Sequence, residues 1–94
     1  MAFMFAIIRF AEVDPAFLRD IERVAEFWRA KEGNVLVEVL VNVDESTLVA
    51  LLSQWESVRA YRQAFSGYDA KMLLTPVMLR AIDEPSAYLR PGEL

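Results

Sequence analysis

The hydrophobic pattern of the chain changes period several times, and each change marks an element. Residues 3–10, Phe-Met-Phe-Ala-Ile-Ile-Arg-Phe, are aromatic and aliphatic at nearly every position and too few for a typical helix. This predicts a strand that is apolar on both faces. Asp14 and Pro15 follow as a helix start, because Asp can accept from free amides and Pro fits the first helical position. From there to about Lys31, Phe17, Leu18, Ile21, Val24, Ala25 and Trp28 recur at helical spacing, with Arg19, Glu22, Arg23, Glu26 and Arg29 largely outside that stripe. Gly33 and Asn34 supply the left-handed residue that commonly ends a helix.

From Val35 to Val43 every odd position is valine, with Leu36, Glu38, Leu40 and Asn42 between, which is the period of a strand with one apolar and one mixed face. Asp44, Glu45 and Ser46 read as a three-residue loop, and Thr47–Trp55 returns as the antiparallel partner. Ser57 caps a helix with Val58, Tyr61, Ala64 and Phe65 on one side, interrupted near Ser66 and Gly67. Ser66 with Asp69 resembles a capping box and Thr75-Pro76 a restart, so 67–82 is expected to be broken helix. Ser86–Arg90 makes a last strand before Pro91 and Gly92 end regular structure.

The order strand, helix, strand, strand, helix, strand assembles by right-handed crossovers into one ferredoxin-like α+β domain spanning 1–94, a four-stranded antiparallel sheet with helices on one face. A chain of 94 residues has no material for a second core. Composition sharpens this: 55% of residues are hydrophobic, above the roughly 45–50% of average domains. Strands apolar on both sides leave an open sheet face that water disfavours, and a twofold-related copy is the simplest cover. Burying even about 500 Å2 of apolar surface per subunit contributes roughly 12 kcal/mol before association costs, so a homodimer through the open face is expected.

The net charge of -4 works against nucleic acid and anionic lipid as partners. An RNA-binding domain of like topology also lacks its basic, Gly-rich aromatic strand motif here. Cysteine and histidine are both absent. This removes disulfides, thiolate nucleophiles, histidine-ligated zinc or haem and a histidine base, and agrees with a reducing, cytoplasmic setting. The apolar start from Met1 to Ile8 lacks a basic leader and is broken by Arg9, so neither a secretory signal nor a membrane span is expected.

The segment Gln54-Trp55-Glu56-Ser57, followed by Ala60-Tyr61-Arg62 and Phe65, resembles the antibiotic biosynthesis monooxygenase family of dimeric α/β barrels. The likeness is nearest to its small enzymes that oxidise anthrone-type polyketides to quinones, and it covers about a quarter of the chain closely. The resemblance implies a monooxygenase that uses no cofactor, metal or flavin, because the carbanion of an anthrone can itself give an electron to oxygen. It implies Trp55 as an indole N–H donor facing a buried pocket and Tyr61 as a phenol that binds substrate or protonates a peroxide. Leu51 stands where those enzymes carry an asparagine, and Thr75, Lys71 and Arg80 occupy the region of their arginine. Haem breakdown through a histidine in the helix after the corner is excluded, since none is present.

Phe27, Phe65, Met72 and Lys71, with Leu51, are the expected lining for a hydrophobic small molecule. The same residue types at these spacings equally suit a core, and Glu38 suits a solvated face. Because fold does not fix function, a non-catalytic ligand-binding or regulatory module remains the alternative.

Overall fold

The structure is a computed structural model and describes residues 2–94; Met1, at the head of the apolar start, lies outside them. Strand β1 (Met4–Phe10) leads into helix α1 (Pro15–Arg29), β2 (Asn34–Val41), β3 (Val49–Trp55), α2 (Val58–Gln63), α3 (Tyr68–Met78) and β4 (Ala87–Leu89). The strands form one antiparallel sheet in the order β2-β3-β1-β4, with the helices on one face. This is the ferredoxin-like arrangement expected from the hydrophobic pattern.

Strand alternation divides the sheet cleanly. Met4, Ala6, Ile8 and Phe10 of β1 and Val49, Leu51, Ser53 and Trp55 of β3 point under the helices and are buried. They meet Phe17, Ile21, Val24, Ala25 and Trp28, the stripe of α1. The opposite face carries Phe5, Ile7, Leu36, Leu40, Leu52 and Tyr88 together with Arg9, Glu38 and Gln54, and in the single chain no element covers it. Ile7, Leu36, Leu40 and Tyr88 are exposed there.

Both helix starts follow the capping logic of the sequence. Asp14 Oδ1 accepts from the Phe17 N–H at 2.8 Å, and Ser57 Oγ accepts from the Ala60 N–H at 3.0 Å. Gly33 has φ +85°, and a Cβ there would stand 2.5 Å from the Ala60 Cβ. Glycine is therefore needed twice, for the left-handed turn and for the close approach of α2.

Several boundaries differ from the sequence expectation. Strand β2 ends at Val41, not Val43, and β3 begins at Val49, not Thr47. The three-residue loop is really residues 42–48, because Asn42 Oδ1 accepts from the Asp44 and Glu45 N–H groups at 2.9 Å and Glu45 accepts from Thr47, closing a wider polar turn. Val43 is left 96% exposed. A bulge between Asn34 and Leu36 takes Val35 out of the valine alternation. Gly67, not Ser66, precedes α3 and makes no side-chain cap. Thr75-Pro76 is no restart, for α3 runs through Pro76 to Met78. The last strand is only Ala87–Leu89, and Pro91–Glu93 add a 3-10 turn beyond the expected stop.

Candidate functional site

Three elements bring the aromatic residues together beneath the sheet. Trp55 ends β3 on the covered face, Tyr61 lies one turn into α2 beyond the Ser57 cap, and Trp28 comes from the last turn of α1. The Trp28–Trp55, Trp28–Tyr61 and Trp55–Tyr61 ring centroids are 5.5, 5.8 and 5.8 Å apart, all edge to face. Phe65 joins at 5.0 Å from Tyr61 and 5.6 Å from Trp28. Edge-to-face packing of this kind holds each ring in one orientation.

Beside this cluster lies a hollow of about 250 Å3 lined by Tyr61, Phe65, Met78, Ile8 and Ile82, with Arg9, Glu84 and Ser86 adding polar groups. Its outer wall is residues 82–86. The Ile7 N–H donates to the Ser86 carbonyl and the Ile82 N–H to the Arg9 carbonyl, both at 2.8 Å, so residues 83–85 arch away from β1 between two fixed points. A second hollow of about 220 Å3, lined by Lys71, Leu74, Thr75 and Leu79, shares the Phe65 and Met78 walls with the first. Methionine is an adaptable partition, since it has three rotatable bonds and little shape preference.

The polar groups of the site differ in what they can still offer. The Trp55 Nε1–H donates to Ser53 Oγ at 2.9 Å, and both residues are wholly buried. Its donor thus points into the core and is already engaged. Tyr61 borders the hollow, and burial pushes its phenol up to about 12 from the ordinary 10.0. At neutral pH it holds its proton and acts as a donor. Arg9 and Glu84 form a two-pronged pair, Nε to Oε2 and Nη2 to Oε1, both at 2.7 Å. That hydrogen bonding holds the Glu84 carboxyl below its ordinary value and the Arg9 guanidinium above its own. Trp28 Nε1 is buried with no hydrogen-bond partner among the described residues.

The other expected site residues are dispersed. Leu51 is fully buried in the core beneath α1, two positions from Ser53 on the same face. Phe27 is half-buried and lies under the Lys31 ammonium at 4.3 Å, away from the Tyr61 hollow. Lys71 lines the second hollow, not the first. Met72 is 60% exposed and lines neither. Arg80 stacks on the Phe17 ring at 3.5 Å and so does not face the hollow. Among the described residues no group of acidic side chains is placed to hold a metal. No helix among them is long and apolar enough to cross a membrane.

The residues that sequence reasoning passed over are Arg9, Glu84 and Ser53. Arg9 had a visible mark as the one charge in an otherwise apolar strand, and Ser53 as the one polar residue on the buried face of β3. Glu84 had none, because its partner is 75 positions away.

The sequence matches no protein-family model and no curated protein. Solved structures do match over nearly the full length. Protein SO0527 from Shewanella oneidensis superposes with a TM-score of 0.76 at 14% identity, over 95% of this chain and 91% of that one. SnoaB, a cofactor-independent oxygenase from Streptomyces nogalater, gives a TM-score of 0.73 at 19% identity, over 95% and 90%. A proposed antibiotic biosynthesis monooxygenase from Nitrosomonas europaea gives 0.70 at 17%, over 96% and 90%. At such identities the likeness speaks for the backbone alone, and it is consistent: this chain folds as the antibiotic biosynthesis monooxygenase structures do.

Proposed function

We propose that the protein is a cofactor-independent monooxygenase that oxidises a flat, hydrophobic, anthrone-type aromatic with O2 in the hollow beside Tyr61. The observation that carries this reading is that hollow: largely apolar walls, one half-buried phenol that keeps its proton, and a place beneath the sheet of a fold shared with a cofactor-independent oxygenase. In the reaction the ring CH2 loses a proton to solvent, the carbanion gives an electron to O2, and the two radicals join as a C–O bond. Tyr61 then donates its proton to the terminal peroxide oxygen and regains one from solvent, and loss of the second ring C–H hydrogen with the terminal OH as water leaves the ring ketone, so CH2 and O2 become C=O and H2O. The hollow is small beside the roughly 300–1,000 Å3 of common ligand pockets. Three fused rings therefore call on the neighbouring hollow through Met78.

The uncovered sheet face supports a homodimer as the working form, since Phe5, Ile7, Leu36, Leu40 and Leu52 all lie on it, with Arg9, Glu38 and Gln54 among them. A second reading, a non-catalytic ligand-binding module, has one observation in its favour: the Trp55 N–H is spent on Ser53 and not presented to a ligand.

The two readings separate in one experiment. Anaerobic protein mixed with dithranol and then exposed to air should form quinone faster than buffer does, and Tyr61→Phe should slow that excess rate by roughly a hundredfold, as for loss of a general acid. Quenching of tryptophan fluorescence by the product quinone without any acceleration over buffer supports the binding module and refutes the enzyme.

A further inference from the structure

Tyr61 walls a further hollow, on the helix-covered side of the sheet. This space of about 240 Å3 lies between β4 and α2 and is lined by Met4, Val58, Tyr61, Arg62, Ala87 and Leu89, with Leu94 at its edge. Ala87 pairs with Ala6 and Leu89 with Met4, so strand alternation turns both under the helices, whereas Tyr88 pairs with Phe5 and turns to the uncovered face. Tyr61 is the one residue it shares with the hollow assigned above to oxygen chemistry.

Among the described residues Arg62 is the one charged side chain that lines this hollow. It makes no hydrogen bond or ion pair with any of them, Leu94 included, whereas Arg9, Arg23, Arg29 and Arg90 each hold a carboxylate. Arg90, the residue after Leu89, lies over the Phe5 ring at 5.1 Å and so belongs to the other face. A free guanidinium beside an apolar space is suited to an amphipathic anion, and its planar fork matches a carboxylate. The chain as a whole carries a charge of -4 and repels anions, so a preference for a carboxylate here has to come from Arg62 itself. The volume lies below the roughly 300–1,000 Å3 of common ligand pockets, which limits the apolar body to one or two rings or a short chain. We propose that the hollow between β4 and α2 is a further binding site, for a small amphipathic carboxylate whose apolar body lies against Met4 and Leu89 and whose carboxylate pairs with Arg62.

The site does not depend on the proposed oxygenase reaction, and the dithranol assay tests that reaction separately. The test titrates two probes of matched shape, β-naphthoate and its neutral amide β-naphthamide, into the full chain at neutral pH and follows backbone amide NMR signals. Both should move the signals of Ala87 and Leu89 more than those of Ile8 and Ile82. The naphthoate should bind about fivefold more tightly than the amide, the upper size of one exposed ion pair. Arg62→Gln should bring the two affinities together, while Arg62→Lys, which keeps the charge and loses the fork, should retain about a twofold preference. Binding of the neutral amide should stay within about twofold of wild type in both variants, which a loss of folded structure would not allow. Equal affinities in the wild-type chain, or a preference that survives Arg62→Gln, overturns the assignment. So do shifts confined to Ile8 and Ile82, and the absence of saturable shifts with either probe.

Discussion

Leu51 and Leu52 are neighbours on one strand and live in opposite environments. Leu51 is wholly enclosed under α1, and Leu52 lies on the sheet face that nothing in the chain covers. The covered face is finished: helix stripe, strand alternation, caps and the Gly33–Ala60 approach all agree on one packing. The other face carries Phe5, Ile7, Leu36, Leu40 and Leu52 beside Arg9, Glu38 and Gln54, and has no partner within the subunit. Apolar residues on both sides of a sheet thus report two different interfaces, one that folds the subunit and one that asks for another surface.

Substitutions at the two faces should separate these roles. The largest effect is expected at Leu51→Ala, which removes enclosed side-chain volume and should cost about 2–5 kcal/mol in a urea titration. A cost under about 1 kcal/mol would mean that the core near α1 is looser than the packing indicates. Gly33→Ala comes next, at roughly 2–4 kcal/mol, because it combines left-handed backbone strain with a clash against Ala60. The companion Ala60→Gly change should recover the steric part and leave the strain. Ser53→Ala strands the Trp55 N–H in the core and should cost about 1–3 kcal/mol, with a shift in tryptophan emission.

On the bare face, Leu52→Lys should leave the far-UV spectrum intact and change subunit stability by no more than about 0.5 kcal/mol. It should, however, convert a dimer seen by size exclusion at micromolar concentration into the 10.8 kDa single chain. A wild-type protein that already elutes as a single chain removes the dimer.

The smallest expected effects are those of pH. Glu84 titrates below its ordinary value when folded, so its contribution is present above the ordinary carboxylate range and is lost as pH falls through the lowered folded value. Glu84→Gln should flatten that acid limb. Tyr61 runs the other way: raised to about 12 in the fold, it contributes fully below the ordinary 10.0 and loses that contribution as pH rises from there through about 12. Tyr61→Phe should remove this alkaline slope, read from melting temperatures across pH 9 to 12.

The candidate site was only partly legible. Trp55, Tyr61 and Phe65 were singled out because the corner from strand to helix resembles a known family, and the structure packs their rings together. Phe27 and Met72 fit the same spacing logic, yet one packs under Lys31 and the other faces solvent. A helical stripe tells which side of a helix is apolar, not which of its residues borders a void.

The sequence by itself determined the element order, the two helix caps and the excess of apolar strand positions, because each depends on residues within a few positions of one another. Only the tertiary structure decided that the Trp55 N–H turns to Ser53, that α2 closes on Gly33, and that Arg9 reaches Glu84 across 75 positions. Those outcomes depend on where separate elements come to rest against each other, and side-chain hydrogen bonding at that range leaves no period in the chain to read.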